Sequence, residues 1–345
     1  MAARNGKEQE SLRKTISRLK MITNISLFVG IAGILLASGM AIYLFTHPGK
    51  TVYVNVTTSV PAPGQGGPGN TLKYINEPLN ATELAIINNA PQSYFSKAAE
   101  MFLNGSIQNT VSPAGTKAQT AFNPGGGKAP VIYLGSITCI FCGENRWSMA
   151  LALSQFGSFK NLYNGYSALG DADVPTLYWT VEPINSSNTT VANEYSSNYL
   201  TFVSMEDTNP ITGGFALNPL SKIASNVDAR GNSTATAALN YVLNISANAS
   251  TAFQGTPYTV WGNYVFLGAD AVAFGNSTPS AGTLPLTTMT HKQVLAEIAS
   301  PNDQFAWTEY AGADAYIVAI CKSINNTAPI CGDSAIRAWE TRYYS

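Results

Sequence analysis

The sequence predicts an α/β domain enlarged by helical insertions and extensions and carried on one N-terminal transmembrane helix. Two observations predict the domain. Short apolar strand patterns alternate with helical ones, and a Cys-X-X-Cys pair falls at one strand-to-helix junction. A third predicts the anchor: Met21 to Thr46 reads MITNISLFVGIAGILLASGMAIYLFT, without a single charge.

At 1.5 Å per residue that run spans roughly 39 Å as a helix, enough for a hydrocarbon core of about 30 Å. Arg4, Lys7, Arg13, Lys14, Arg18 and Lys20 precede it against Glu8 and Glu10. The positive-inside rule therefore puts residues 1–20 in the cytoplasm and everything after the span outside. A cleaved signal peptide is the competing reading, but its apolar region is usually only about 7–15 residues. The small-xxx-small pair Gly33 and Ala37 supports dimerisation only weakly, so the oligomeric state stays open.

Charged residues make up 11% of the chain, against about 25% in ordinary globular domains. Hydrophobic residues make up 45%, which excludes a disordered solvating chain. After residue 20 there remain 13 basic and 18 acidic residues, a net charge of −5. Nucleic-acid binding needs a basic face, so no nucleic-acid partner is expected. Asn-X-Ser/Thr occurs at Asn55, Asn80, Asn104, Asn185, Asn188, Asn232, Asn244, Asn248, Asn276 and Asn325. An Asn-rich chain produces some of these by accident, yet ten point to a glycosylated surface protein. Asn24 fits the pattern but lies inside the expected span.

Residues 47–70 contain PAPGQGGPGN and read as a linker. The extracytoplasmic domain is expected over 71–345, with a core at about 130–300 and a helical extension over 301–345. Thr82 is placed to cap a short helix ending near Asn88. Pro91 to Leu103 reads as a second helix with Phe95, Ala98 and Phe102 on one face. Val131 to Leu134 is a buried strand pattern, followed by a helix from Cys139 to about Phe156. Thr176–Val181 and Tyr199–Val203 are further strands, and Ser233–Ile245 is a helix. Two strands meet at Gly262-Asn263 as a hairpin. Thr290 and Gln293 form a capping box for a helix through Ile298. Two last helices are expected at Ala311–Ser323 and Ser334–Arg342.

Cys139-Ile140-Phe141-Cys142 carries the chemistry. A Cys-X-X-Cys pair is half a zinc site, a redox pair or a coincidence. Zinc needs two more N or S ligands. Cys321 and Cys331 are ten apart, and the only histidines are His47, beside the membrane, and His291, so no metal or cofactor is expected. Redox chemistry fits the context better. At a helix N-terminus, unpaired N–H groups and the positive end of the dipole stabilise a thiolate. Cys139 is then the nucleophile, with a moderately lowered pKa, and Cys142 the resolving thiol one turn later. Cys321 and Cys331 read as a structural disulfide outside the cell, with a second redox pair or free thiols as alternatives. Gly127-Lys128 lacks the rest of a phosphate loop, and two histidines so placed give no Ser-His-Asp arrangement.

Taken alone, Thr256-Pro257 is an ordinary turn at a strand start. It gains meaning from the order of elements: strand, CxxC helix, strand, helix, Thr-Pro, hairpin, helix is the order of a thioredoxin-like fold. In that fold a cis-proline loop faces the active cysteines and presents backbone to the substrate. Residues from about 125 onward resemble an archaeal (crenarchaeal) membrane-anchored thioredoxin-like family of unknown function. VIYLGSITCIFCGENRW, NEYSSNYLTFVSMED, TPYTVWGNYVFLGA and AICKSINNTAPIC carry the resemblance. It implies catalytic roles for Cys139 and Cys142 and a substrate-binding role for Thr256 and Pro257. It supplies no substrate. Ile-Phe replaces Gly-Pro between the cysteines, and no Trp precedes Cys139.

The expected function is thiol–disulfide exchange on extracytoplasmic protein thiols or disulfides. The alternative is a non-catalytic surface glycoprotein of the same fold whose cysteines are structural. The charge asymmetry makes the topology testable. Protease added to intact cells should degrade the region after His47 and spare an N-terminal tag; protection of the C-terminal region would contradict the orientation.

Overall fold

Every residue of the strand Ala129–Ser136 is buried, so other elements must cover both faces of its sheet. The structure, a computed structural model of the chain, describes residues 78–344 apart from 108–112, 137–138, 167–173, 182–190, 193, 208–232, 249, 252, 254–255, 268–285, 287–288 and 303. The expected segments 1–20, 21–46 and 47–70 lie outside the described residues, as do Asn55, Asn185, Asn188, Asn232 and Asn276. Among the described residues no helix is long and apolar enough to cross a membrane.

The described elements are mixed α/β. In chain order they are α1 (Ala81–Asn88), α2 (Gln92–Leu103), β1 (Thr116–Lys117), β2 (Ala129–Ser136), α3 (Ile140–Ser154), β3 (Gly157–Asn161), β4 (Tyr163–Tyr166), β5 (Pro175–Tyr178), β6 (Thr180–Val181), β7 (Val191–Ala192), β8 (Glu194–Ser197) and β9 (Leu200–Asp207). There follow α4 (Ser233–Ser246), β10 (Tyr258–Trp261), β11 (Tyr264–Leu267), α5 (His291–Ala299), α6 (Gln304–Ser323) and α7 (Ser334–Tyr343).

The main sheet is mixed, with strand order β1-β11-β10-β2-β9. β2 runs parallel to β9 and antiparallel to β10. Side chains alternate across it with the period of two that a strand imposes. Val131, Tyr133, Trp261 and Phe266 join the core that contains α2, α3 and α6. Ile132, Leu134, Val260 and Val265 join a second core beneath α4, with Ala238, Leu239 and Val242. The sheet therefore lies between two helical layers. Trp261 stacks on Tyr316 of α6 at 4.2 Å between ring centroids, a contact worth about 1 kcal/mol beyond its burial.

Several boundaries differ from the sequence expectation. Asn80, not Thr82, caps α1: its side chain accepts from Thr82 N–H and Glu83 N–H, and Glu83 returns the bond. The strand expected over Thr176–Val181 is two strands, β5 pairing with β4 and β6 with β7. Trp179 between them is fully buried. Helix α6 begins at Gln304, seven residues before the expected Ala311. The hairpin turns at Gly262, where φ is +63° and a Cβ would strike Ser323 of α6. Cys321 and Cys331 form a disulfide with Cα atoms 5.4 Å apart, tying the end of α6 to the turn Pro329–Gly332. Of the described sequons, Asn80, Asn104, Asn244 and Asn325 are exposed and Asn248 is half-buried.

The seam between α3 and α6 also encloses carboxyl groups. Glu144 and Glu309 are buried there, where Ser148 Oγ donates to Glu309 at 2.5 Å, and Asp314 is buried elsewhere on α6, near Asp333. Burial disfavours a charge there. It pushes Glu309 up to about 8, partly offset by the Ser148 bonds. Burial and then the neighbouring Glu309 raise Glu144 well above the carboxylate range; burial and then Asp333 do the same for Asp314. A carboxyl raised in the folded state stabilises most below its unfolded pKa of about 4 and loses that contribution as pH climbs through the folded value. His291 opposes them: burial lowers it to about 4, so its contribution is lost as pH falls from about 6.5. Three carboxyls outweigh one imidazole. The melting temperature should fall by about 5 °C or more between pH 4 and pH 8. Glu309→Gln should shrink that fall, and an unchanged pH slope in this variant would contradict the assignment.

Candidate functional site

The site is set by strand register. Tyr258 of β10 pairs with Leu134 of β2, so two residues earlier Thr256 stands level with Ser136, the end of β2. The Cys-X-X-Cys helix starts three residues further on. Antiparallel pairing thus delivers the Thr256-Pro257 segment to the first turn of α3 across a long sequence separation. The Thr256–Pro257 peptide bond is cis. Cys139 Sγ lies 3.6 Å from the Thr256 carbonyl oxygen, to which the thiol donates. Pro257 is buried behind it.

Cys139 is the N-cap of α3, with extended backbone, and its sulfur accepts the Cys142 N–H at 3.3 Å. One of the orphan amides of the first turn is therefore aimed at sulfur. Cys139 is half-buried and Cys142 is fully buried, and neither is in a disulfide. An incoming disulfide can reach Cys139 and not Cys142. Cys321 and Cys331 form a separate covalent link.

The charge sits the other way round from the sequence expectation. The hydrogen bond to Cys142, then burial, hold the Cys139 thiol well above its ordinary value. Burial pushes Cys142 upward as well, but the bond from Cys139, the Arg146 charge and the Ser136 backbone outweigh it and bring Cys142 down to about 7. Two sulfurs share one proton, and the pair loses its first proton near neutral pH. The resting charge lies on the inner sulfur, beside Arg146, while the outer sulfur keeps the proton.

Sequence reasoning missed Arg146 and its surroundings. Arg146 lies four residues after Cys142 on α3, hence on the same helix face. It is fully buried and donates through Nη2 to the Ser136 carbonyl at 2.8 Å. Its guanidinium lies over the rings of Tyr133 at 5.7 Å and Tyr178 at 6.0 Å. A Cβ at Gly135 would overlap the Tyr133 hydroxyl, so glycine there leaves room for the ring beneath the guanidinium. The i, i+4 spacing to Cys142 was the available signal; without knowing that this face is buried, an arginine there reads as solvated.

Among the described residues no group of three or more His, Cys, Asp or Glu could hold a metal ion. The His291 ring bonds the Thr176 carbonyl, on β5, at 2.6 Å rather than either cysteine. Residues 119–322 match a family described as a domain of unknown function (DUF929). No curated protein and no solved structure matches the chain.

Proposed function

The chain belongs to the DUF929 family, and we propose that it is a membrane-anchored, outward-facing thiol–disulfide oxidoreductase with a thioredoxin-like fold. One observation carries the reading: a reachable Cys139 and a buried Cys142 share the first turn of a helix, with the Thr256 carbonyl 3.6 Å from Cys139. The uncharged run 21–46 and its basic N-terminal flank support the anchor and its orientation.

The reaction follows from the pair's charge. As Cys139 Sγ attacks one sulfur of a substrate disulfide, its proton passes to the Cys142 thiolate. The substrate S–S bond breaks, and the departing sulfur leaves with the electron pair. In the mixed disulfide that remains, Cys142 gives its proton to the departed thiolate and attacks Cys139 Sγ. The second substrate sulfur leaves as thiolate, and Cys139–Cys142 closes as a disulfide. Two electrons have moved from the pair to the substrate; the reverse sequence oxidises a substrate dithiol. The Thr256-Pro257 backbone beside Cys139 is placed to hold an extended substrate segment during both attacks.

A structural clip is the competing reading, and one experiment separates the two. Cys142→Ser, expressed in intact cells, should accumulate partner proteins as mixed disulfides through Cys139, because the resolving thiol is gone. Cys139→Ser should accumulate few or none. Equal trapping by both variants, or none by either, would overturn the catalytic reading.

A further inference from the structure

We propose that Arg146 is the positioning residue of the cysteine pair, holding negative charge on the Cys142 sulfur and so biasing the pair toward its reduced form. The inference rests on the redox reading above and extends it to the direction of electron flow. Its basis is geometric. Arg146 and Cys142 are i and i+4 neighbours on α3, and both are fully buried. Ser136 connects them: its carbonyl accepts Arg146 Nη2 at 2.8 Å, and its backbone helps hold the Cys142 charge. Tyr133 and Tyr178 flank the guanidinium, which fixes its place without relying on solvent. The groups facing Cys142 are therefore the Cys139 thiol from the helix N-cap, Arg146 from the same helix, the Ser136 backbone from β2, and Thr256 from the segment before β10.

A buried thiolate without a cation would be disfavoured and would keep its proton. Here the opposing contributions win, with the Arg146 charge following the Cys139 bond among them. Stabilising a thiolate stabilises the dithiol state that contains it, and leaves the Cys139–Cys142 disulfide relatively less stable. In the corresponding exchange, a substrate dithiol attacks that disulfide. The pair's S–S bond breaks and a substrate S–S bond forms; of the two substrate protons one goes to Cys139, which leaves as a thiol, and one to solvent, while Cys142 keeps its electron pair as a thiolate beside Arg146. Protein dithiols are thus the favoured substrates, with the pair's own disulfide as oxidant.

The test is thiolate absorbance at 240 nm during pH titration of the full chain, reduced so that only Cys139 and Cys142 report. Wild type should show a first midpoint near 7. Arg146→Gln should move that midpoint up by about one unit, a roughly fivefold loss of thiolate at pH 7. Arg146→Lys, which keeps the charge, should restore most of it. An unchanged midpoint in a folded Arg146→Gln protein overturns the inference. Should that variant fail to fold, Cys139→Ser leaves Arg146 in place and isolates Cys142. A Cys142 midpoint still below 8.5 supports the inference, and one at 8.5 or higher overturns it. Neither result bears on trapping by Cys142→Ser, so the redox reading and this one fail separately.

Discussion

The pairing of β10 with β2 is the constraint on which the site depends. It is antiparallel, with Tyr258 opposite Leu134, and it brings a segment 117 residues away in sequence to the sulfur of Cys139. A one-residue slip would turn Val260 and Trp261 onto each other's faces, exchanging the contents of the two cores. Trp261 stacks on Tyr316, whereas Val260 belongs to the core under α4, so the slip is strongly disfavoured. Register is therefore held by packing on both sides of the sheet, and the placement of Thr256 follows from it.

Burial of α3 has two consequences with one cause. Because layers close on it from several sides, Ile140 and every residue from Cys142 to Leu153 are buried. At its N-terminal end, burial separates the roles of the two cysteines, leaving only Cys139 within reach. It also desolvates Arg146, whose charge then acts on Cys142 through a medium poor in screening water. On another face of the same turns, the packing encloses Glu144 against Glu309 of α6, where the charged forms are disfavoured. Ionisable groups inside this helix layer are thus a charge stabiliser on one face of α3 and a pH-dependent liability on another.

Local patterns made much of this legible in the sequence. The run Val131 to Leu134, the hairpin at Gly262-Asn263 and the capping box at Thr290 each carry their signal within a few residues. A helix starting near Cys139 could be read because a strand ends just before it. What could not be read depends on partners far along the chain. Phe102 and Phe156 mark apolar faces, but α3 has no solvated face, so an amphipathic reading says nothing of Glu144 or Arg146. The first turns of α6, before the expected Ala311, are helical as well, and there Thr308 Oγ1 donates to the Gln304 carbonyl within the helix. The division at Trp179 was likewise invisible, since alternation continues through it while the pairing partner changes.

The proposed function requires Cys139 and Cys142 to interconvert between dithiol and disulfide as a functional couple. The most direct measurement equilibrates the protein in glutathione buffers of graded redox ratio, quenches with acid, alkylates, and locates the modified cysteines by mass spectrometry. One reversible two-electron transition should be seen, confined to Cys139 and Cys142, with Cys321 and Cys331 linked to each other throughout. A pair that stays reduced across the whole range, or that oxidises without returning, would contradict the proposed function.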